Sequence, residues 1–290
     1  MRKDYESQRG YFHSLHEAEA YADNTFPICE GAWVRFESPN AAVLTEYKGL
    51  MQFNGYGYTP TGVVSKDYPI VQHNQVFGAG IEAFVRDGIS VEGSYEYDNR
   101  GRMYSTFMFK NVLIPDDEKG IALGIRLFNS YTGDQPIRGY GVATRLVCAN
   151  GMTLRSTIPE MVINLTHRGE IPYGFIVSKV RDLVASTLES QQTIVQKIDF
   201  AMAEQVHFES ERDMVACIAS MVGGERRAKE IKSKLGSRYD ITQWELYNAI
   251  TNVVSREDEA LKITPLQKET VLKSAESLLN REYQRPMIVA

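Results

Sequence analysis

The feature that most constrains the fold is a change in sequence pattern near residue 172. Before it, short segments rich in β-branched and aromatic residues alternate with turn sequences, whereas after it apolar residues recur at intervals of three and four. Strand patterns that are segregated from helix patterns in this way predict an α+β protein with an antiparallel sheet. We expect a β-sheet-rich N-terminal half packed with a long helix, followed by a helical C-terminal half.

The predicted boundary lies near residue 170. Residues 1–170 form the β-rich region, which includes an N-terminal helical segment at residues 13–22, and residues 171–290 form the helical region. Because the helix that starts near residue 174 is too apolar on one face to stand alone in water, we expect the two regions to fold as one cooperative unit.

Six segments of the N-terminal half have strand character: 33–36, 43–47, 88–97, 102–112, 121–130 and 141–149. The clearest local prediction is a β-hairpin over residues 89–109, since side chains alternate on both sides of the turn Asn99-Arg100-Gly101. Helical spacing between residues 67 and 86 predicts a helix before this hairpin.

The spacing of apolar residues in the C-terminal half predicts one helix of about 30 residues, from 174 to 206. It predicts further helices at 210–221, 225–235, 242–255 and 264–282. Thr242 and Glu245 form a capping-box pattern, and Pro265 suits the first helical position. The apolar stripe of the long helix exceeds what a sheet of short strands can cover. We therefore expect self-association.

Charge is distributed unevenly along the chain. The formal net charge is −5, yet residues 121–181 contain seven basic and three acidic side chains, a local charge of +4. A basic region in an acidic protein can offer a groove to an anion, although paired and solvated surface charge explains the same composition. A second basic cluster consists of Arg226, Arg227, Lys229, Lys232, Lys234 and Arg238.

The length of the apolar runs indicates whether the chain can cross a membrane, and the spacing of the cysteines indicates its cellular compartment. No apolar run approaches the roughly 20 residues that a bilayer crossing needs, and the three cysteines are widely spaced. We expect a cytoplasmic protein of a bacterial or archaeal host cell, without a membrane partner or a disulfide framework.

Two groups of residues are candidates for binding a nucleic acid. Four arginines of the basic segment could hold phosphates: Arg138, Arg145, Arg155 and Arg168. Tyr56 and Tyr58, in a glycine-rich sequence, could stack on unpaired bases, and Arg100 and Arg102 could contact bases or backbone. The alternative for the two tyrosines is packing on a sheet edge.

Signals for catalysis and metal binding are weak. His13, His16 and Glu17 would share a helix face but lack a third ligand nearby, and Asp116 and Asp117 follow Pro115 as a solvated turn would. The sequences Gly78-Ala79-Gly80 and Gly139-Tyr140-Gly141 fit tight turns better than a phosphate loop. We expect no cofactor, no metal site and no enzymatic activity.

Three stretches have sequences too particular to be filler: Gly62-Val63-Val64 with residues 68–72 and 91–94, then Asn129-Ser130 and Gly133 with residues 145–152, and finally residues 242–251. They resemble a known family, the phage/plasmid-like proteins of domain-of-unknown-function family 932. The resemblance covers about residues 60–255. The chain departs from the commoner family form at Tyr131-Thr132, where a histidine and an acidic residue are more usual.

The resemblance implies a protein of a phage, plasmid or other mobile element. Together with the layout, which is similar to that of single-strand annealing proteins, it favours a non-enzymatic protein that binds single-stranded nucleic acid in DNA replication or recombination and forms homo-oligomers. The alternative is a structural or host-interaction protein of the mobile element. A nuclease that uses Asp116 and Asp117 is a third hypothesis.

Overall fold

The computed structural model describes residues 7–22, 25–38, 41–53, 55–98, 100–114, 120–145, 150–153, 162–255 and 265–279. The elements of the described residues are, in order, β1 Ser7–Phe12, α1 Leu15–Ala22, β2 Ile28–Ser38, β3 Ala41–Phe53, β4 Tyr58–Ser65, α2 His73–Arg86, β5 Val91–Asp98, β6 Arg102–Ile114, β7 Ile121–Ser130, β8 Ile137–Arg145, β9 Asn150–Thr153, β10 Val162–Leu165, α3 Tyr173–Glu189, α4 Gln191–Ala203, β11 Gln205–His207, α5 Glu211–Val222, α6 Glu225–Leu235, β12 Asp240–Thr242, α7 Gln243–Ser255, α8 Pro265–Ala275 and a 3-10 turn Glu276–Leu279. The predicted α+β class is confirmed: antiparallel sheets occupy the N-terminal half, and helices occupy the C-terminal half.

The chain divides into two compact units. The first contains Met1–Asn111, Gly124–Gly141 and Glu160–Ser186, and the second contains Val112–Leu123, Val142–Pro159 and Thr187–Ala290. Their bounds differ from the expected division at residue 170, because most of α3 belongs to the first unit. That the whole chain unfolds cooperatively stays a prediction.

Most residues of a seven-stranded sheet belong to the first unit, and β9, the ends of β6 and β8 and the start of β7 belong to the second. The strand order of this sheet is β1-β5-β6-β7-β8-β10, and β9 also pairs with β8. The predicted hairpin is confirmed as β5 and β6, which pair antiparallel with Val91 opposite Phe109 and Tyr97 opposite Met103. The Asp98 carboxylate closes its turn by accepting the backbone N–H groups of Arg100 and Arg102, and Gly101 supplies the required positive φ of 75°.

Helix α2, predicted between residues 67 and 86, packs on this sheet through aromatic rings. The rings of Phe77 and Phe84 lie with their centroids 5.5 and 5.3 Å from that of Phe107 on β6, and all three side chains are fully buried. Each such ring contributes about 1.5–3 kcal/mol through burial of apolar surface. This contact defines the helix-covered face of the sheet.

The two glycine pairs lie inside regular elements, so the expected tight turns at Gly78-Ala79-Gly80 and Gly139-Tyr140-Gly141 are wrong. The first lies in α2 and the second in β8. A Cβ at Gly80 would be 2.8 Å from the Phe107 ring, and one at Gly139 would be 3.0 Å from side chains of Leu127 and Leu183. These glycines serve close packing on the sheet.

Replacing Gly80 with alanine is expected to destabilise the protein by about 1–2 kcal/mol, because the cost of overpacking exceeds the higher helix propensity of alanine. Gly78→Ala is the matched control on the same helix, since its Cβ would lie 3.4 Å from the Tyr173 hydroxyl, an ordinary contact. Urea unfolding should show Gly78→Ala to be neutral or stabilising. Equal effects of the two substitutions would contradict this account of Gly80.

The single long helix predicted over residues 174–206 is wrong, because the chain forms α3 and α4 with a break at Ser190. Residues 189–193 contain no apolar side chain that could continue the buried stripe. The stripe itself is buried within one chain: Ile176, Val180, Leu183, Ile194 and Ile198 are at most 2% exposed. These five positions therefore offer no apolar surface for self-association, and Leu188, Val195 and Met202 of the predicted stripe are only partly exposed.

Local signals placed the helices of the second unit well. The predicted capping box is confirmed, since the Glu245 N–H donates to Thr242 Oγ1 (3.0 Å) and the Thr242 N–H donates to Glu245 Oε2 (2.8 Å). Helix α8 begins at Pro265, as predicted. No helix in the part of the chain that the structure describes has the length and apolarity needed to cross a bilayer.

A separate three-stranded sheet, β2-β3-β4, also belongs to the first unit. One of its faces is buried through Cys29, Leu50 and Val64, which cluster with Tyr131. A side chain at Gly62 in β4 would clash with the carbonyl oxygen of Thr132, so β4 lies directly against the turn that follows β7.

Candidate nucleic-acid interface

The seven-stranded sheet has a second face, opposite α2. Side chains alternate along a strand, and Phe107 points to α2, so its neighbours Thr106 and Met108 point the other way. On β7, Leu127 lies on the α2 side, where it approaches Gly80, so Arg126 and Phe128 also point to the second face.

Aromatic rings and arginines of β6, β7 and β8 contact one another on this second face. The Phe128 ring lies between Tyr104, whose centroid is 4.9 Å away, and Arg138, whose guanidinium carbon is 5.5 Å from the Phe128 centroid. Beside them, Arg126 Nε donates to Thr106 Oγ1 (3.0 Å). Tyr104, Arg126 and Arg138 are half-buried, so each keeps part of its surface exposed.

A second arginine–aromatic pair lies at the sheet edge on β1, on the far side of β5. Tyr11 lies opposite Ser94 on β5, and Ser94 lies opposite Thr106 on β6. Tyr11 is 57% exposed, and the Arg9 guanidinium carbon is 5.0 Å from its ring centroid. We call this surface the arginine–aromatic face, defined by Arg9, Tyr11, Tyr104, Thr106, Arg126, Phe128 and Arg138.

The charge on this face favours an anion along β6, β7 and β8. Their outward positions within residues 102–110, 121–130 and 137–143 include Arg102, Arg126 and Arg138 but no acidic residue. On β5, by contrast, Glu92 and Glu96 occupy outward positions. The positive strip is therefore three strands wide and ends toward β5.

Two of the predicted site residues lie on the arginine–aromatic side of the sheet. Arg138 is part of the face itself, and Arg102 begins β6 on the same side, although its Nε is buried. Arg100 is exposed in the β5–β6 turn.

The other predicted arginines are not brought to this face by the structure. Arg168 is exposed after β10. Arg145 ends β8, lies opposite Asn150 of β9 and belongs to the second unit. Arg155 lies outside the described residues. The basic segment therefore does not form one groove of four arginines in the described structure.

Sequence reasoning missed Arg9, Tyr11, Tyr104, Arg126 and Phe128. The usable signal was the period of two on β6, where Tyr104 and Thr106 alternate with buried residues; β7 is buried throughout except at Arg126 and gives no such signal. Alternation alone does not determine how the strands align, and it is this alignment that places Phe128 between Tyr104 and Arg138.

Tyr56 and Tyr58 lie on the three-stranded sheet, apart from the arginine–aromatic face. Tyr56 is fully exposed in the β3–β4 turn, and Tyr58 begins β4 with its ring centroid 5.1 Å from that of Phe53. The Tyr58 hydroxyl donates to Glu30 Oε2 (2.9 Å), and this hydrogen bond raises the pKa of Tyr58.

Large apolar side chains are exposed on the outward side of this sheet. Ile28, Phe53 and Tyr58 are cross-strand neighbours, and Val63 and Tyr47 continue the surface. We call it the small-sheet face, defined by Ile28, Tyr47, Phe53, Tyr58 and Val63. Its described outward positions include one charged residue, Glu30.

The turn after β7, which carries part of the family resemblance, lies in a buried polar network. The Tyr131 ring stacks on His73 with centroids 3.7 Å apart, and the Tyr131 hydroxyl accepts the His73 backbone N–H (2.7 Å). Asn129 Nδ2 donates to Val71 O (2.9 Å) and lies 3.0 Å from His73 Nδ1. Because an amide nitrogen only donates, His73 Nδ1 must accept, so the ring is neutral and protonated at Nε2.

Burial shifts the pKa values of the titratable groups in and beside this network. Burial lowers the pKa of His73 well below 6.5 and raises the pKa of the Cys29 thiol to about 12. A thiol with that pKa is not ionised at neutral pH, so Cys29 is a structural residue and not a nucleophile.

The second basic cluster is largely paired within its own unit. Lys229 and Lys232 bridge to Glu225 and Glu211 at 2.7 Å each, and Arg238 bridges to Glu245 at 2.7 Å. These ion pairs favour the interpretation that the basic residues of α6 are ordinary surface charges and not a binding site.

The described residues contain no group of three or more His, Cys, Asp and Glu side chains that could hold a metal ion. On α1, Glu17 accepts the backbone N–H of His13 at 2.7 Å. Asp116 and Asp117 lie outside the described residues.

The fold and its surfaces define an α+β protein whose antiparallel sheet is packed by helices on one face and carries arginine and aromatic side chains on the other. The chain belongs to the family described as Domain of unknown function (DUF932), whose model matches residues 60–281. No curated protein and no solved structure matches the chain.

Proposed function

We propose that the protein is a non-enzymatic, single-stranded nucleic-acid-binding protein that acts in DNA replication or recombination of a phage or plasmid, as a homo-oligomer in the cytoplasm of a bacterial or archaeal host. The observation that carries the proposal is the packing of Phe128 between Tyr104 and Arg138, beside Arg126. The half-buried Tyr104 ring can stack on an unpaired base, Phe128, which is 5% exposed, packs against it, and the neighbouring arginines can hold phosphates.

The chemistry of this face suits a single strand better than a duplex. The two rings that keep exposed surface, Tyr11 and Tyr104, require bases that are not already stacked in a helix, and the positive strip is confined to three strands. Four cations at outward positions of β6–β8, namely Arg102, Lys110, Arg126 and Arg138, limit the phosphates engaged to about three or four.

Binding to a labelled oligonucleotide of about 40 nucleotides should weaken as salt rises, with a log–log slope of roughly −2 to −3, since each neutralised phosphate of a single strand contributes about 0.7. The double variant Arg126→Gln/Arg138→Gln should flatten this slope by about 1.4. Fluorescence anisotropy at several salt concentrations measures both slopes, and thermal unfolding checks that the variant is folded.

The matched control is Arg212→Gln/Arg226→Gln, which removes two exposed arginines of α5 and α6. It should leave the slope unchanged. If the control flattened the salt slope equally, the binding site would have to lie on the helical unit. If the wild-type protein did not bind the oligonucleotide at low salt, the proposal would be refuted.

Tyr11→Ala tests the stacking part of the proposal, because this side chain is more than half exposed and its loss should leave folding intact. Loss of one stacked base costs about 1–3 kcal/mol, so affinity should fall by about 5- to 150-fold. Tyr239→Ala, in the second unit and 38% exposed, is the control and should bind like the wild type. Equal affinities of Tyr11→Ala and the wild type would exclude base stacking at this edge.

The second candidate function is a structural or host-interaction protein of a mobile element. The exposed small-sheet face favours it, because apolar patches of this kind mark protein contacts. A wild-type protein that fails to bind the oligonucleotide would make this the leading function.

A further inference from the structure

We infer that the small-sheet face is a self-association surface, on which a second copy of the chain packs face to face. The inference specifies the homo-oligomer within the proposed function but does not depend on nucleic-acid binding. It starts from the finding that the α3–α4 stripe, the expected source of self-association, is buried within one chain.

The extent of the face fits a weak dimer. Its five defining side chains are 37–64% exposed. With about 150–250 Å² available on each aromatic side chain, they present on the order of 400–500 Å² of apolar surface, near the upper end for a patch on a monomer. A standard interface uses about 800 Å² per partner, which the surrounding residues of the sheet could complete.

The shape of the face suits sheet-on-sheet packing. Antiparallel pairing aligns Ile28, Phe53 and Tyr58 in one row across the three strands, and Ala32, Gly49 and Val63 in another. The Glu30–Met51–Pro60 row lies between them, and Ala32 and Gly49 form a low position beside the large side chains. Two such surfaces can interdigitate at the roughly 10 Å spacing of packed sheets.

The charge of the face selects a second copy over an ionic partner. A surface that meets itself must be close to neutral, because any net charge would face its own duplicate. The described outward positions include one carboxylate, Glu30, and this group already accepts a hydrogen bond from the Tyr58 hydroxyl of its own chain. The face also lacks cations at those positions, so it does not suit phosphates.

Analytical ultracentrifugation of the full chain without nucleic acid, from about 1 to 100 µM, tests the inference, since interfaces of this size give micromolar affinities. The wild type should sediment as a concentration-dependent dimer. Val63→Glu should raise the dimer Kd at least tenfold, because it places a charge on the surface that the second copy would bury. Val63 is 64% exposed, so the monomer should stay folded.

Val85→Glu is the matched control, since Val85 on α2 is 51% exposed and lies outside the small-sheet face. It should dimerise like the wild type. A wild type that is still monomeric at about 100 µM, the upper limit for weak specific assembly, would overturn the inference. So would unchanged dimerisation of Val63→Glu, or equal weakening of the dimer by Val85→Glu.

Other occupants of the face give different results. Co-flotation of a monomeric wild type with phosphatidylcholine vesicles would assign the face to a bilayer. Loss of oligonucleotide binding by Val63→Glu in a monomeric protein would assign it to nucleic acid. Either outcome overturns the inference. A dimer that binds no oligonucleotide would instead remove the proposed nucleic-acid function and leave this interface standing.

Discussion

Replacing Tyr131 with alanine is expected to destabilise the protein by about 3–5 kcal/mol, the largest effect of any single substitution considered for this chain. The side chain is 2% exposed, stacks on His73 and lies 3.1 Å from both Pro27 O and Gln72 Oε1 through its hydroxyl. Truncation would leave a cavity and remove a partner from the His73 backbone N–H. Urea unfolding monitored by circular dichroism measures the loss.

Tyr131→Phe separates the two contributions, because it keeps the ring and deletes only the hydroxyl. It should cost about 1–3 kcal/mol, the penalty for leaving buried polar groups unpaired. Tyr56→Ala, at a fully exposed tyrosine of the same unit, should change stability by less than about 0.5 kcal/mol. A Tyr131→Ala protein as stable as the Tyr56→Ala control would show that the network does not support the fold.

Acidification below pH 6.5 is expected to destabilise the protein through His73. The pKa of this buried ring is lowered well below 6.5, so the unfolded chain binds a proton that the folded protein excludes. The stabilisation is therefore fully present above pH 6.5 and is lost as the pH falls toward the folded pKa. At about 1.4 kcal/mol per pH unit, His73 alone removes up to about 2 kcal/mol between pH 6.5 and 5.

The His73→Gln variant should unfold more easily at pH 7.5 but lose less stability on acidification. His167, whose pKa burial also lowers, supplies part of the remaining dependence. His16→Gln is the control, because that side chain is 98% exposed, and its pH profile should match the wild type. Parallel profiles for His73→Gln and the wild type would show that His73 does not govern acid stability.

Elements that depend on local sequence were predictable. The β5–β6 hairpin follows from alternation around a turn, and the start of α7 follows from the hydrogen bonds that Thr242 and Glu245 exchange. The end of α3 at Glu189 was not predicted, because three- and four-residue spacing resumes at Ile194 and hides a break of one residue.

The candidate site was less accessible from sequence because it depends on pairing between distant strands. Arg138 was selected for its charge, but its partner Phe128 and the neighbouring Arg126 were recognised only when β7 and β8 were aligned. Likewise, Arg138 and Arg145 belong to one strand and look equivalent in sequence, yet they belong to different compact units. Charge along the chain does not report which residues share a face.

The pairing of β1 with β5 has a consequence for the synthesis of the protein on the ribosome. Phe12 lies opposite Gly93, and the entire three-stranded sheet lies between them in sequence. At about 5–20 residues per second, β1 waits roughly 4–16 s for its partner strand to be made. The polar residues Gln8 and Arg9 lower the tendency of this unpaired strand to join another chain, as charged residues do on sheet edges. Because β1 pairs with β5, it must avoid pairing with other chains until β5 has been synthesised.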